Sequence, residues 1–158
     1  MNYIVQNPYM DEIFHIPQGL HLLCSSSHHS LFYYDPLLTT PPGLYLSSAP
    51  FILLLRGLEK LGFISHSLAC STFALRSFNT LFYSLGTLRV LGAIRKRLYH
   101  HAPTLTHYVI SFFPLSFFFH FLYYTDSGST FWVLLGLYLA IQQRYTWSAC
   151  VRVSQLIQ

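Results

Sequence analysis

SLACSTFALRSFNTLFYSLGTLRVLGAI, residues 67–94, is the stretch that decides the fold, because it is apolar over a length that a membrane-spanning helix needs. The basic run Arg95-Lys96-Arg97 follows directly and predicts the cytoplasmic side of the membrane by the positive-inside rule. Arg76 lies near the middle of this predicted span, where an unpaired charge costs several kcal/mol. Either Arg76 reaches the near interface or a neighbouring helix, or it is a cation for an anionic lipid phosphate.

Two further spans are predicted downstream, over residues 104–124 and 130–144, with a short polar loop at 125–129 between them. Pro114 is expected to kink the first of the two. Tyr123 and Tyr124 at its end are typical of an aromatic belt at the membrane interface. These patterns predict an all-α protein, a multi-pass transmembrane helical bundle whose residues 67–158 hold the spans and a divergent C-terminal tail.

The composition agrees with a membrane protein. The chain is 53% hydrophobic, 18% aromatic and 9% charged, with a mean hydropathy of +0.41. Soluble domains carry about 25% charged residues, so this chain has too few charges to cover a water-facing surface. The net charge of +4 does not indicate nucleic-acid binding, because the basic residues are scattered between apolar runs. The three widely spaced cysteines, Cys24, Cys70 and Cys150, suggest neither a zinc site nor a disulfide framework.

Residues 1–66 are predicted to form a luminal loop region with short helices. A mostly apolar helix from Leu44 to Leu55 is expected to lie at the membrane interface or re-enter it, with a full span as the alternative if Arg56 and Lys60 reach the interface with their long side chains. Twelve residues reach only about 18 Å as a helix, less than the hydrocarbon core of roughly 30 Å. The Ser/His run at residues 25–30 is interpreted as a loop, with metal binding by His28 and His29 as the less favoured alternative.

Within this region, PYMDEIFHIPQ (residues 8–18) holds two adjacent carboxylates and a histidine. Asn7 and Pro8 favour a helix start, and Pro17 disfavours helix at the residue before it, so a short helix is predicted from Pro8 to about His15. Asp11 and His15 would then share one helix face, as an acid–base or substrate-binding pair. The alternative is a pair of solvated loop carboxylates.

The predicted topology separates the charges. Four basic residues, Arg95, Lys96, Arg97 and Arg144, fall on the cytoplasmic side. All five acidic residues fall on the opposite side, which faces the lumen or exterior: Asp11, Glu12, Asp35, Glu59 and Asp126. Coincidence is the alternative explanation, because acidic residues orient membrane proteins only weakly.

Four blocks of the chain, residues 7–18, 34–46, 75–82 and 112–130, resemble in the same order the dolichyl-phosphate-glucose α-1,2-glucosyltransferase family. The resemblance implies a partial GT-C glycosyltransferase fold in the endoplasmic reticulum membrane, with the active site at the luminal face. The implied reaction transfers glucose from dolichyl phosphate glucose to the lipid-linked oligosaccharide in α-1,2 linkage, for protein N-glycosylation. The implied partners are this donor, the dolichyl-diphosphate oligosaccharide acceptor and membrane lipid.

The resemblance also implies roles for individual residues. Asp11 occupies the position of the family's catalytic carboxylate, with Glu12 next to it, and Asp11 would deprotonate the acceptor 2-hydroxyl while the anomeric carbon inverts. A cation must offset the charge of the departing lipid phosphate, and Arg76 is the first candidate and Arg56 the second. His15 would orient Asp11 or bind the phosphate. Two further carboxylates bind sugar hydroxyls or stabilise loops, namely Asp35 and Asp126. No metal and no cofactor are expected.

Two alternatives to an active transferase remain open. Family members begin with a transmembrane helix before the first block and continue beyond the last, so this chain is expected to have lost both ends. The first alternative is therefore a truncated, catalytically inactive membrane protein of the same family. A small channel or transporter would instead line helix faces with polar residues, and only Arg76 and Asn79 on the first span fit that pattern.

Overall fold

A computed structural model describes residues 7–25, 35–36, 38, 40–99 and 105–156. Every regular element in this part of the chain is helical, which confirms the all-α prediction. The elements are α1 (Glu12–Cys24), α2 (Gly43–Lys60), α3 (His66–Ala69), α4 (Thr72–Phe78), a π-helix (Asn79–Ser84), α5 (Leu85–Leu98), α6 (Thr106–Ser111), α7 (Pro114–His120), α8 (Thr125–Ile141) and α9 (Tyr145–Leu156). Both histidines of the predicted Ser/His loop lie outside the described residues.

Helix α1 begins later and ends later than the predicted Pro8–His15 helix, and it runs through Pro17. The prediction was wrong because burial outweighs the local effect of the proline. Ile16 and Gln18, on either side of Pro17, are 3% and 4% exposed, whereas Pro17 itself is exposed. Pro17 has no N–H to donate to the carbonyl of Ile13, and Ile13 is itself an exposed residue, at 57%.

Helix α2 is also longer than predicted, because it continues past Leu55 through Arg56 to Lys60. Its charged residues lie in the last turns, where Arg56 donates a hydrogen bond from Nη1 to the carbonyl of Leu23 at 2.9 Å. Helices α1 and α2 therefore pack side by side in the first part of the fold.

The predicted span 67–94 is divided. Cys70 interrupts the helix with φ −111° and ψ 58°, and Ser71 caps α4 by accepting a hydrogen bond from the Ala74 N–H. From Thr72 to Leu98, α4, the π-helix and α5 then follow one another without a gap. The Cys70 side chain forms a disulfide with Cys24 at the end of α1, so the prediction that the cysteines form no disulfide was wrong.

Pro114 ends a helix and begins another, where a kink was predicted. Phe113 is extended (φ −55°, ψ 131°), as expected for a residue before proline, and Pro114 occupies the first turn of α7. The residues predicted as a polar loop, 125–129, form the first turns of α8, with Asp126 near the helix N-terminus, where a negative charge is favourable.

The core lies where α1, α2, α4 and the turn before α8 meet. Its buried members include Ile16, Leu44, Tyr45, Ile52, Leu75, Phe78, Tyr83 and Tyr123. Helix α8 packs against α5 and α9, and a bend at Gln143 (φ 61°) separates α8 from α9. Among the described residues, none of the helices combines the length and the apolar character that crossing a bilayer demands.

Candidate functional site

Two adjacent carboxylates, Asp11 and Glu12, lie in opposite environments at the start of α1. Glu12 is 0% exposed, whereas Asp11 lies on the surface. Asp11 occupies the N-cap position, but its side chain makes no capping hydrogen bond. The residue before it, Met10, has a φ of 52°, a left-handed conformation that is uncommon outside glycine. This local turn brings the chain into α1 with one carboxylate outside and the next one inside.

Glu12 forms a buried ion pair with Arg76 of α4. Arg76 donates from Nε to Oε1 at 3.0 Å and from Nη2 to Oε2 at 2.7 Å, so the contact is bidentate. The Arg76 side chain is 3% exposed, and its Nη2 also donates to the Asn7 carbonyl at 3.3 Å. A buried charge is tolerated only when it is paired and hydrogen-bonded. Here each of the two side chains neutralises and hydrogen-bonds the other.

The Glu12 carboxylate also binds two backbone N–H groups. Tyr123 donates to Oε1 at 2.7 Å, and Tyr9 donates to Oε2 at 3.1 Å. Glu12 therefore holds together three separate segments: the approach to α1, helix α4 and the turn before α8. These contacts of Glu12 fix the backbone at the start of α1, and so they also fix the position of the neighbouring Asp11.

The position of Asp11 is further fixed by Tyr124. The Asp11 backbone N–H donates to the Tyr124 hydroxyl at 2.7 Å, across 113 residues of chain. Tyr124 is only 5% exposed, and its ring lies 6.2 Å, centroid to centroid, from that of His15. The buried tyrosine therefore holds the backbone of Asp11 and leaves the carboxylate outside.

His15 lies one turn after Asp11, as predicted, but on the buried side of α1. It is 4% exposed, and its Nδ1 shares a hydrogen bond of 2.8 Å with the hydroxyl of Tyr45. Burial lowers the pKa of His15 from its ordinary value of 6.5, and the neighbouring charges of Asp11, Glu12 and Asp126 oppose that shift. The lowered pKa favours a neutral imidazole at neutral pH.

Asn79, on the π-helix, holds the turn that supplies Tyr123 and Tyr124. Its Nδ2 lies 2.8 Å from the carbonyl of Leu122, 2.8 Å from that of Tyr124 and 3.1 Å from Ser127 Oγ. The asparagine is 0% exposed. A π-helical segment often marks a functional site, and here it presents Asn79 to the turn before α8.

The predicted site residues therefore divide into two groups. Asp11, Glu12, His15 and Arg76 surround the start of α1, and Asp126 is near enough for its charge to act on His15. Arg56 binds the carbonyl of Leu23, and 11 residues of helix separate Leu23 from Glu12, or about 16 Å. Asp35 is half-buried, and its N–H donates to Gln18 Oε1 at 3.2 Å.

Four residues that hold the site were not predicted from the sequence: Tyr45, Asn79, Tyr123 and Tyr124. The prediction of an aromatic belt at Tyr123 and Tyr124 was wrong, because they are 0% and 5% exposed. Asn79, inside an apolar span, was the available signal, since a buried amide needs hydrogen-bond partners. Among the described residues, no group of three or more His, Cys, Asp and Glu side chains is placed to hold a metal ion.

Comparison with known proteins places the chain in a family. The sequence pattern of the DIE2/ALG10 family matches residues 5–157. The chain belongs to the DIE2/ALG10 family. No solved structure matches it.

Relatives of this DIE2/ALG10 chain share one name, Dol-P-Glc:Glc(2)Man(9)GlcNAc(2)-PP-Dol alpha-1,2-glucosyltransferase. The Arabidopsis thaliana protein is 41% identical over 155 residues, which cover 94% of this chain and 30% of the relative. The Homo sapiens protein is 35% identical over 152 residues, covering 92% of this chain and 31% of the relative. The Yarrowia lipolytica protein is 36% identical over 145 residues, covering 90% and 26%. The chain therefore spans about a third of the length of these relatives.

Proposed function

We propose that this chain contributes the catalytic carboxylate of a glucosyltransferase in the endoplasmic reticulum membrane. The donor would be dolichyl phosphate glucose and the acceptor the diglucosylated oligosaccharide on dolichyl diphosphate. Membership of the DIE2/ALG10 family and the shared name of the relatives support this reaction. The observation that carries the proposal is that the Asp11 carboxylate is exposed, whereas the next residue, Glu12, is buried and paired with Arg76.

Asp11 acts as the general base in this proposal. Glucose transfer with inversion requires one group that takes the proton from the acceptor 2-hydroxyl as the anomeric carbon is attacked. The Asp11 carboxylate is exposed and makes no capping hydrogen bond, so it is accessible to an acceptor hydroxyl. The bond from its N–H to Tyr124 fixes its backbone, which reduces the cost of orienting the base.

Glu12 and Arg76 act in this proposal by positioning Asp11. Their burial and bidentate contact support that role, since each charged group is neutralised by the other. The cation that offsets the charge of the leaving lipid phosphate stays a prediction for Arg76 and Arg56. The lowered pKa of His15 supports a neutral imidazole that orients the site, rather than a cation that binds the phosphate.

Two features support a membrane site that faces an oxidising lumen. Disulfides persist in compartments such as the endoplasmic reticulum lumen, and Cys24 and Cys70 are joined by one near the predicted luminal face. Large apolar side chains are exposed on several helices, as lipid contact would favour: Leu46, Leu53, Leu54, Val109 and Phe113 are between 59% and 71% exposed.

Transfer of radiolabelled glucose tests the proposal. Microsomes from a strain that lacks the native enzyme would carry this chain, the Asp11→Asn variant or an empty vector, and would receive labelled dolichyl phosphate glucose and the diglucosylated acceptor. We expect transfer with the unmodified chain and loss of transfer in the variant. Equal signals from the chain and the empty vector would contradict the proposal and favour the inactive relative.

A further inference from the structure

A cleft of about 650 Å³ lies between α5, α6, α7 and α8. Its wall is mostly apolar, and the polar or charged residues that matter for its chemistry are Thr87, Ser111, His120 and Asp126, beside the ring of Phe119. The volume falls within the range of small-molecule sites, about 300–1,000 Å³. We call this space the α5–α8 cleft.

Three residues of the cleft carry buried polar atoms that have no hydrogen-bond partner in the described part of the chain. They are Thr87 Oγ1, Ser111 Oγ and His120 Nδ1. Their residues are only 3%, 8% and 9% exposed. An unpaired buried polar group costs roughly 1–3 kcal/mol, and most such groups in proteins do have partners. Three of them around one cleft indicate that a ligand supplies the missing bonds.

The backbone of His120 is fixed by hydrogen bonds, so the position of its side chain is also restricted. Its carbonyl accepts hydrogen bonds from the hydroxyls of Thr80 at 3.1 Å and Ser84 at 3.4 Å. Nδ1 of the imidazole has no partner among the described residues, although the backbone of His120 is fixed by two side chains of the π-helix. The cleft is therefore preformed on the side of α7.

The charges of the cleft select the chemical class of the ligand. Among the described residues that line it, Asp126 is the one that carries a charge at neutral pH, and none is lysine or arginine. A phosphate would meet a carboxylate with no cation beside it, and an alkyl chain would leave all three polar atoms unpaired. Sugar hydroxyls both donate and accept hydrogen bonds, and the C–H face of a sugar ring fits an apolar wall.

We propose that the α5–α8 cleft binds the neutral, terminal glucosyl end of the acceptor, with Thr87, Ser111, His120 and Asp126 as the residues that bond its hydroxyls. The position of the cleft supports the acceptor as the sugar that it binds. This assignment to the acceptor rests on the proposed function. Asp126 acts electrostatically on His15, and it follows Tyr124, whose hydroxyl binds the N–H of Asp11. A sugar bonded to Asp126 would thus lie next to the turn whose Tyr124 holds the backbone of the proposed base.

Ligand-observed NMR on the purified chain in lipid nanodiscs tests the sugar site. The probes are methyl α-glucoside and an α-linked disaccharide of glucose, with glucose 1-phosphate as the anionic comparison. We expect saturable binding of the neutral sugars and weaker binding of the phosphate. Thr87→Val and Ser111→Ala should each weaken binding of the neutral sugars by roughly three- to tenfold. Ser65→Ala, at an exposed site outside the cleft, is the matched control and should leave binding unchanged.

Thermal unfolding without sugar separates a binding role from a structural one. Because the hydroxyl of Thr87 is buried and unpaired, Thr87→Val should raise the unfolding temperature while it weakens sugar binding. A hydroxyl with a structural role would lower that temperature when removed. No binding of neutral sugar by the unmodified chain, tighter binding of glucose 1-phosphate, or unchanged binding in both variants would overturn the proposal.

The outcomes also distinguish this proposal from the proposed function. If the chain binds glucosides in the cleft but does not transfer glucose, the transferase proposal fails and the sugar site stands. If the chain transfers glucose and Thr87→Val leaves the KM for the acceptor unchanged, the sugar site fails and the transferase proposal stands.

Discussion

Glu12 Oε2 and Arg76 Nη2 lie 2.7 Å apart in the interior of the protein, 64 residues apart in sequence. This pair joins α1 to α4, and the second oxygen of Glu12 binds the N–H of Tyr123 before α8. Three segments that are distant in the chain therefore depend on one carboxylate, and the exposed Asp11 depends on the same arrangement.

Glu12→Met is expected to lower the free energy of unfolding by roughly 3–5 kcal/mol, because it leaves the Arg76 charge buried and unpaired. Thermal unfolding in detergent measures the loss. Glu59→Gln is the matched control, since Glu59 pairs with the exposed His66 and a surface pair contributes about 0–1 kcal/mol. The double variant Glu12→Met, Arg76→Met should lose less than Glu12→Met alone. Losses that simply add would contradict the pairing.

Asp11→Asn is expected to leave the fold intact and to reduce glucose transfer by at least about 100-fold, the lower end of what a general base contributes. The reason is that the Asp11 carboxylate is exposed and caps no backbone group, so its charge stabilises no buried partner. Transfer assays and unfolding temperatures are measured on the same preparations, with Glu59→Gln as the control that keeps activity. An Asp11→Asn protein with near-normal transfer would remove Asp11 from the role of base.

The stability of the fold is expected to decrease as the pH falls below 6.5. Burial lowers the pKa of His15 in the folded chain, so the unfolded chain takes up a proton first and is favoured on acidification. Well above pH 6.5 the imidazole is neutral in both states, so His15 contributes no pH dependence there. Unfolding measured between about pH 7.5 and pH 5.5 should show the decrease, and His15→Gln should reduce it. Tyr45→Phe removes the hydrogen bond between the Tyr45 hydroxyl and His15 and leaves the imidazole in place, so it should keep the pH dependence. Loss of the pH dependence in Tyr45→Phe would contradict the assignment to His15.

Loss of the disulfide between Cys24 and Cys70 is expected to destabilise the first part of the fold. The bond closes a separation of 46 residues, for which the chain-entropy estimate gives about 4 kcal/mol. Cys24→Ser, or reduction of the unmodified chain, should therefore lower the unfolding temperature, and reduction should change gel mobility. Cys150→Ser is the control, because Cys150 is exposed and lies outside this disulfide. Equal stability of Cys24→Ser and Cys150→Ser would contradict the pairing.

Two glycine substitutions are expected to have opposite signs. A Cβ at Gly86 would lie 2.7 Å from the ring of Phe131 on α8, so Gly86→Ala should cost about 1–3 kcal/mol by forcing the two helices apart. A Cβ at Gly57 would meet no atom within 4 Å, and Gly57→Ala in α2 should stabilise by roughly 0.4–1 kcal/mol. Unfolding temperatures of the two variants check both. A neutral Gly86→Ala would show that α5 and α8 do not pack closely at this point.

The sequence predicts helical character well and helix boundaries poorly. Apolar composition and apolar runs of the length of a membrane span predict an all-α chain, as observed among the described residues. Pro17 and Pro114 illustrate the limit, because the same residue type lies within α1 and begins α7. Local rules apply at Pro114, where Phe113 is free to become extended, but they fail at Pro17, where the burial of Ile16 decides.

The sequence indicates candidate site residues that are neighbours in the chain, but it does not indicate their distant hydrogen-bond and ion-pair partners. Asp11, Glu12 and His15 are visible as neighbours in one stretch of sequence. That Arg76 belongs to Glu12 cannot be read from spacing, since 64 residues separate them. The same holds for Tyr124 at Asp11 and for Cys24 at Cys70, pairs that only the packing of α1 against the rest of the chain brings together.

The left-handed turn at Met10 fixes how many residues separate Tyr9 from the buried carboxylate. Inserting one residue between Tyr9 and Asp11 would shift both carboxylates by one position along the chain and would place Asp11, in place of Glu12, opposite Arg76. The acid that is buried would then be exposed, and the exposed acid would be buried. In this family, insertions at this point should therefore be rarer than substitutions.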